Sequence, residues 1–153
     1  MRFLLIDEST AFRAALAGML RWHWPAAQVE EWDPRTRGNP AGVLPLGAYA
    51  AVLIESEPAG DDGIAWVAQI RKDPNAPPVV LFTEHGGEYL AVKAMKAGAA
   101  DFLRKPGLTG EQLVRSIEDA LREHEARKID RTSTDPFFMR SSQIDIRKVG
   151  LPV

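Results

Sequence analysis

The sequence predicts an α/β domain built on an open parallel sheet. Short apolar runs alternate with helical patterns as far as residue 124, which is typical of successive βα units. Polar side chains follow the apolar runs directly, and the carboxyl ends of parallel strands lie at one ligand-binding edge of such a sheet. We expect five units, whose strand ends bring together Asp7, Glu8, Glu55, Thr83 and Lys105.

The first unit is well marked and the second is weak. Residues 2–7 form an apolar strand, and a helix that ends before Trp24 should follow. Its apolar residues have helical spacing: Phe12, Ala15, Leu16, Met19 and Leu20. A second strand is expected over 28–32. Three prolines and three glycines between residues 33 and 47 then predict a helix that is short, broken or missing.

Three further units follow with clearer signals. Strands are expected over 49–54, over 79–82 and at Phe102 and Leu103. The third helix should begin after Asp61 and Asp62, which we interpret as its cap. The fourth should end near Gly98, because glycine is favoured just past a helix C-terminus.

The last helix is the best specified element. Thr109 and Gln112 have the spacing of a capping box, in which each side chain binds the backbone of the other residue. Acids placed four residues before bases, such as Glu111 and Arg115, cover its outer face. Its buried stripe should consist of Leu113, Val114, Ile117, Ala120 and Leu121.

The residues after this helix are expected to form a separate segment. Periodicity is lost from about Ile129, and the stretch 131–136 has the composition of a linker. We therefore divide the chain into a domain over 1–127 and a linker or tail over 128–153, which leads toward an output domain in a longer parent protein. A weak alternation over 143–149 is typical of an exposed strand that needs a partner chain.

Composition excludes several classes of function. A formal net charge of -2 gives no field that would attract nucleic acid or an anionic membrane, so we expect neither partner. The chain has no cysteine, which excludes disulfides, thiol nucleophiles and thiolate metal sites. The apolar run between Arg2 and Asp7 is too short for a signal peptide or a membrane span, and a cytoplasmic location is the expectation.

The polar residues at the strand ends form a coherent chemical set. Two or three carboxylates hold a hard divalent cation, while an ammonium and a hydroxyl group bind a phosphoryl group. Lys105 would supply the ammonium and Thr83 the hydroxyl. The alternative is that each acid simply ends its strand in solvent, but the matched positions favour a common site. The expected ligands of a weakly bound Mg²⁺ are Asp7, Glu8, Glu55 and Glu57.

The order of these residues resembles the receiver domain of two-component response regulators over about residues 1–125. The segments that carry the match are 3–8, Gly63, Thr83, 94–106 and the final helix. The resemblance implies a flavodoxin-like (CheY-like), doubly wound fold with strand order 2-1-3-4-5. It also implies a surface, formed by the fourth helix, fifth strand and fifth helix, that rearranges when an aspartate is phosphorylated.

Individual roles follow from the resemblance alone. Thr83 and Phe102 match two switch positions, and Lys105 matches a lysine that contacts the phosphoryl group. Pro106 follows a peptide bond that is often cis in the family. The implied partner is another protein or the chain's own output domain, bound through the surface of the fourth helix, fifth strand and fifth helix. A homodimer is a further expectation.

Position 55 departs from the family pattern. Glu55 stands where the family carries the phosphoacceptor aspartate, and Pro58 falls three residues later instead of four. The Glu55 carboxylate reaches one methylene further, so it should approach Lys105 directly and mimic the charged state in part. Displacing an acceptor by about an ångström removes much of the orientation effect that such a reaction needs. We therefore expect a degenerate receiver, not an enzyme, that acts through protein contacts without phosphorylation.

Two other functions remain open at this point. The main alternative is a phosphorylatable, Mg²⁺-dependent receiver that uses a non-standard acceptor. An enzyme on the same sheet architecture is less favoured, because nucleotide binding calls for a glycine-rich loop after the first strand and residues 8–12 contain no glycine. A phosphohydrolase with an aspartate nucleophile would need an acid at Ser9.

The aromatic residues and histidines are weaker candidates. Trp22, Trp24 and Trp32 are expected in the core, with a partner or ligand surface as the alternative. The three histidines lack the spacing of metal ligands. His85 could line the site beside Thr83, but a solvated loop position is the simpler expectation.

Overall fold

The computed structural model describes residues 1–133, and the predicted alternation at 143–149 lies outside them. Five parallel strands form one sheet in the order β2-β1-β3-β4-β5, which confirms the predicted doubly wound, flavodoxin-like fold. The strands are β1 (Arg2–Ile6), β2 (Gln28–Trp32), β3 (Ala51–Glu55), β4 (Val79–Thr83) and β5 (Asp101–Arg104). The helices are α1 (Thr10–His23), α2 (Pro34–Arg37), α3 (Gly63–Arg71), α4 (Glu88–Lys96) and α5 (Gly110–Ser133).

The sheet has a hydrophobic cluster on each face, because alternate residues of a strand point to opposite sides. In β1, Leu4 and Ile6 belong to the cluster that includes residues of α3 and α4, whereas Phe3 and Leu5 belong to the cluster with α1 and α5. All residues of β3 and β4 are buried, which accounts for their continuous apolar runs. This burial leaves the strand ends as the places where polar side chains gather.

Helix α1 buries a face one residue away from the expected stripe. Ser9 caps the helix by accepting a hydrogen bond from the Phe12 N–H at 3.1 Å. Ala15, expected in the stripe, is exposed. The buried residues are Arg13, Leu16, Ala17 and Leu20. They have the spacing i, i+3, i+4, i+7. Leu16 and Leu20 were expected, and the expectation missed Arg13 and Ala17 because a charged residue occupies the first position of the stripe.

The second crossover is mostly irregular, as its prolines and glycines predicted. Helix α2 is one turn long, and Asp33 caps it by accepting a hydrogen bond from the Arg35 N–H at 2.9 Å. Leu44 and Leu46 then pack against the cluster on the α3 side of the sheet. The loop therefore supplies part of the cover that a longer helix would give.

Helix α5 starts at the predicted capping box. The Thr109 N–H donates to Gln112 Oε1 and the Gln112 N–H donates to Thr109 Oγ1, both at 3.1 Å. The helix runs to Ser133, so residues 129–133, which the sequence assigned to a linker, are helical. These residues extend an existing helix although the sequence shows no apolar stripe there. The domain end at residue 127 stays a prediction.

The chain divides into two compact units, Met1–Leu121 and a second that begins at Arg122. The first contains the sheet and its clusters, and the described part of the second is helical. Within residues 1–133, none of the helices has the combination of length and apolar character that crossing a membrane requires.

The three neighbouring tryptophans occupy different environments. Trp32 is 1% exposed, and its Nε1–H donates to Gly38 O at 2.7 Å. Trp24 is half-buried, with its ring centroid 5.4 Å from that of Phe3. Trp22 is 90% exposed, so the expectation of a core position was wrong for this residue. It lies outside the stripe that α1 turns toward the sheet.

Candidate functional site

A buried cluster of three charged residues lies at the carboxyl edge of the sheet. Asp7 directly follows β1, Glu55 is the last residue of β3, and Lys105 directly follows β5. Asp7 is 2% exposed and Glu55 is 8% exposed, and the Lys105 side chain is 8% exposed. The two acids are neighbours because β1 and β3 pair in register, whereas Lys105 reaches them past β4.

Lys105 contacts both acids. Its Nζ lies 2.6 Å from Asp7 Oδ2 and 3.4 Å from Glu55 Oε2. Among the described residues Asp7 Oδ2 has no partner with hydrogen-bond geometry, so its contact with the ammonium is an ion pair. The Phe12 ring also faces the ammonium, with its centroid 4.5 Å from Nζ, as in a cation–π contact. The ammonium therefore joins the two carboxylates beneath an aromatic ring.

The remaining carboxylate oxygens bind backbone N–H groups. Asp7 Oδ1 accepts from the Ser9 N–H at 2.8 Å, and Glu55 Oε1 accepts from the Glu8 N–H at 3.0 Å. Burial, followed by the negative charge of Asp7, raises the pKa of Glu55 from an ordinary 4.5 to about 7. Two buried carboxylates thus share one ammonium, and the excess negative charge increases the proton affinity of Glu55.

Thr83 lies beside this cluster but bonds elsewhere. It is 4% exposed, and its Oγ1 accepts hydrogen bonds from the Ser56 hydroxyl at 3.2 Å and the His85 N–H at 3.3 Å. A Cβ added at Gly86 would clash with both Thr83 Cγ2 and Phe102 Cζ. Thr83 and Phe102, which match the family's two switch positions, therefore both occupy the space that a side chain at position 86 would need.

The other predicted metal ligands do not join the buried acids. Glu8 and Glu57 are both exposed, and they line the wall of a cavity of about 550 Å³ that opens over Glu55. Within residues 1–133 there is no group of three or more acidic or histidine side chains placed to hold a metal ion. The Lys105 ammonium occupies the position between the two buried carboxylates where a cation would be shared. The residues as arranged do not fit Mg²⁺, and weak Mg²⁺ binding stays a prediction.

Two residues of the site were missed in the sequence. Arg13 is 8% exposed, and its Nη1–H donates to the carbonyl of Asp7 at 2.5 Å while its Nε–H donates to Glu31 at 3.3 Å. It thereby holds the end of β1 in place from α1. The signal for Arg13 was its position in the helical stripe. Ser56, which hydrogen-bonds Thr83, lies two residues after the end of the predicted strand over 49–54 and gave no separate signal.

The loop after Glu55 has an unusual backbone. Ala59 has φ 54° and Gly60 has φ 81°, so two successive residues are left-handed, a conformation that costs a non-glycine residue about 1 kcal/mol. Gly63 starts α3 so close to the strand end that an added Cβ would lie 2.5 Å from Glu55 O. The Asp62 side chain caps α3 by accepting from the Ile64 N–H at 3.0 Å, in agreement with the sequence.

Pro106 differs from the family expectation. The peptide bond between Lys105 and Pro106 is trans, in accord with the general preference of such bonds, so the expectation drawn from the resemblance was wrong here. Pro106 itself is exposed, and the Lys105 N–H donates to the carbonyl of Thr83 at 2.9 Å. That bond continues the pairing of β4 and β5 up to the lysine.

Comparison with known proteins identifies relatives of the chain. A family model described as the response regulator receiver domain matches residues 3–118. Transcriptional regulatory protein FixJ of Bradyrhizobium diazoefficiens is 36% identical over 83 residues, which are 54% of this chain and 40% of that protein. Transcriptional regulatory protein ZraR of Salmonella typhimurium is 39% identical over 119 residues, which are 77% of this chain and 26% of that protein. The chain therefore spans less than half the length of these curated relatives.

Solved structures share the fold at low sequence identity. A response regulator receiver protein from Pseudoalteromonas atlantica has a TM-score of 0.67 and 22% identity, over 80% of this chain and 98% of that one. The beryllofluoride-activated NtrC4 receiver domain dimer has a TM-score of 0.68 and 23% identity over the same shares of the two chains. These structures match the observed fold, and the family model covers most of the sequence. The chain belongs to the response regulator receiver domain family, whose members act in two-component signalling.

Proposed function

We propose that this chain is a degenerate receiver, which regulates through protein contacts and does not accept a phosphoryl group at position 55. The observation that carries the proposal is the contact of Lys105 Nζ with both Asp7 and Glu55, at 2.6 and 3.4 Å. Receivers of this family typically bind Mg²⁺ for phosphorylation. In this chain the Lys105 ammonium already contacts both acids that would hold the ion, so it occupies the place of a shared cation.

The geometry of Glu55 supports the same proposal. A nucleophilic carboxylate needs a free oxygen aimed at the incoming phosphorus, and both Glu55 oxygens have partners, the Glu8 N–H and the Lys105 ammonium. Phosphorylation would break at least one of these contacts at a buried position. The group that loses its partner would remain desolvated without a hydrogen bond, which is unfavourable. When ionised, Glu55 puts a negative charge beside Lys105, which mimics part of the charge of a phosphorylated receiver.

An exposed apolar stripe on α4 is the surface that we assign to the partner. Tyr89 is 79% exposed, Val92 is 52% exposed and Met95 is 48% exposed. The spacing i, i+3, i+6 places them on one side of the helix. Lys93 adds positive charge there, with its Nζ 5.5 Å from the Tyr89 ring centroid. A partner with an apolar contact surface and acidic residues around it fits this stripe, and an output domain of the same protein would serve equally.

A packing path connects the charged cluster with this stripe. Ser56 follows Glu55 and hydrogen-bonds Thr83, and the Thr83 methyl group and the Phe102 ring end both occupy the space beside Gly86. Gly86 lies two residues before α4, and β5 carries Phe102. We infer that the position of the Phe102 ring is set by this packing and needs no phosphoryl group.

Intact-mass spectrometry tests the proposal. The full chain is incubated with acetyl phosphate and millimolar Mg²⁺, beside a receiver of the same family that has aspartate at the acceptor position. The control gains one phosphoryl mass, and this chain keeps its mass. A stoichiometric gain that disappears in a Glu55→Ala variant would overturn the proposal and favour the phosphorylatable alternative.

A further inference from the structure

We propose that two consecutive residues of α1, Phe12 and Arg13, are positioning residues for the buried ion pair of the candidate site. Each of them holds a different member of the pair. The Phe12 ring centroid lies 4.5 Å from Lys105 Nζ. The Arg13 Nη1–H group donates to the carbonyl of Asp7 at 2.5 Å. The ion pair is present in the structure, so this role does not depend on whether Glu55 accepts a phosphoryl group.

Arg13 brings a buried positive charge to the end of β1. A buried guanidinium needs partners for its N–H groups, and those of Arg13 come from three elements. Besides the Asp7 carbonyl they are Glu31 Oε1 on β2 and Thr10 Oγ1 on α1, both at 3.3 Å. Glu31 is exposed, so solvent weakens that ion pair. The buried, charge-assisted bond to Asp7 is therefore the strongest contact of the guanidinium.

The backbone of Asp7 is held on both sides. Its N–H donates to the carbonyl of Trp32 at 3.2 Å, and its own carbonyl accepts from Arg13. In the carboxylate, Oδ1 accepts from the N–H of Ser9, the N-cap residue of α1. Oδ2 remains for the ammonium, and Lys105 Nζ lies 2.6 Å from it. Because the backbone and Oδ1 are held, the direction of Oδ2 depends on the bond that Arg13 makes.

The Phe12 ring restricts the other member of the pair. An aromatic face attracts a cation, and the attraction is larger where water is excluded. The Lys105 side chain is 8% exposed, so this condition is met. The ring is itself packed against Phe82 of β4, with centroids 5.6 Å apart and ring planes at 69°. A ring held in this way limits where the ammonium can lie.

The two contacts act together because they come from one helix. Neighbouring side chains of an α-helix differ in direction by about 100°, so Phe12 and Arg13 reach different partners from the same turn. Buried Leu16 and Leu20 pack α1 against the sheet. A displacement of α1 would therefore loosen both ends of the ion pair at once.

Double-mutant cycles in the full chain distinguish positioning from a general contribution to folding. Urea denaturation at pH 8 gives the loss of unfolding free energy that Lys105→Met causes in each background. Arg13→Lys keeps the charge but lacks the planar fork of donors, and Phe12→Leu keeps an apolar side chain but removes the ring. In each of these backgrounds the loss caused by Lys105→Met should be at most about half of that in the wild type, because the pair is already loosened.

Arg35→Lys is the matched control. It makes the same exchange at an exposed arginine of α2, whose Nη2 lies 2.9 Å from Asp33 Oδ2. Its effect should add to that of Lys105→Met, as expected for residues that share no partner.

NMR of the Lys105 ammonium nitrogen provides a readout that a merely structural role would not change. The signal is assigned by its absence in Lys105→Met. It should be sharp in the wild type and in Arg35→Lys, and broadened in Arg13→Lys and Phe12→Leu, because a less confined ammonium exchanges its protons with water faster.

Additive losses of unfolding free energy in both Arg13→Lys and Phe12→Leu would overturn the inference, as would an ammonium signal that stays sharp in both. Non-additivity in only one of them would leave the positioning role with that residue and overturn it for the other. If Arg13→Lys does not fold, the cycle with Phe12→Leu and its ammonium signal decide the outcome.

Discussion

Replacing Glu55 by glutamine should remove a pH dependence of stability that the native chain carries. The pKa of Glu55 rises from an ordinary 4.5 to about 7, first because the carboxyl is buried and second because Asp7 is negatively charged. Glutamine keeps the length and the polar end of the side chain but cannot ionise. The comparison of the two proteins therefore isolates the ionisation of one buried group.

The sign follows from proton linkage. Because the folded chain holds the Glu55 proton more tightly than the unfolded chain does, raising the pH through the interval from 4.5 to about 7 favours the unfolded state. The native protein should lose roughly 2–3 kcal/mol of its unfolding free energy between pH 5 and pH 8 from this group, since one pKa unit is worth about 1.4 kcal/mol. The Gln variant should not show this loss.

Urea denaturation at pH 5, 6, 7 and 8, without divalent ions, measures the effect. All other ionisable groups are the same in the two proteins, so the difference in unfolding free energy between variant and wild type removes their contribution. From pH 5 to pH 8, the unfolding free energy of Glu55→Gln should rise relative to that of the wild type by roughly 2–3 kcal/mol. A difference that stays constant with pH, or moves in favour of the wild type, would refute the electrostatic reading of the cluster.

Three further changes test the cluster, the path to α4 and the domain boundary. Lys105→Met keeps the aliphatic stem but leaves two buried acids without a cation. Urea denaturation should show that the unfolding free energy falls by about 3 kcal/mol or more at pH 8, falls less at pH 5 and recovers in part with Mg²⁺. Equal losses of unfolding free energy at both pH values would contradict this. Gly86→Ala should displace the Phe102 ring, because its end clashes with the new Cβ; a crystal structure that retains the native ring position would refute the packing path. A chain ended after Ser133 should keep its melting temperature within about 5 °C, because the later sequence has no periodic apolar stripe, and a larger drop in calorimetry would place the boundary elsewhere.

The parallel sheet and the buried cluster were accessible from the sequence for a geometric reason, whereas the strand order was implied by the resemblance to receiver domains. In a parallel sheet all carboxyl ends share one edge, so residues that follow the apolar runs must approach each other. Asp7 directly follows β1, Glu55 ends β3 and Lys105 directly follows the edge strand β5, and the three side chains do meet. The start of α5 was equally accessible, because the pairing of Thr109 with Gln112 is local.

The features that escaped the sequence depend on loop backbone and on which way a side chain turns. Glu8 lies one residue beyond Asp7 and Glu57 lies two residues beyond Glu55, yet both are exposed. Arg13 was not among the predicted site residues, because charged residues are seldom buried without partners. Its partners, the Asp7 carbonyl and Glu31, come together only after β1, β2 and α1 have packed. Non-local partners of this kind leave no periodic signal.

The variants of Glu55 and Lys105 should change stability in opposite directions, although the two side chains touch. One ammonium serves two buried carboxylates, so removing the positive charge deepens the imbalance and removing one negative charge relieves it. A steric origin predicts a different pattern: if the longer side chain of glutamate were simply crowded at position 55, glutamine of the same length would be crowded as well and would gain nothing at high pH. At pH 8 the unfolding free energy should therefore rise in Glu55→Gln and fall in Lys105→Met, and the rise in Glu55→Gln should shrink toward pH 5. This pattern distinguishes charge imbalance from crowding as the physical consequence of glutamate at this position.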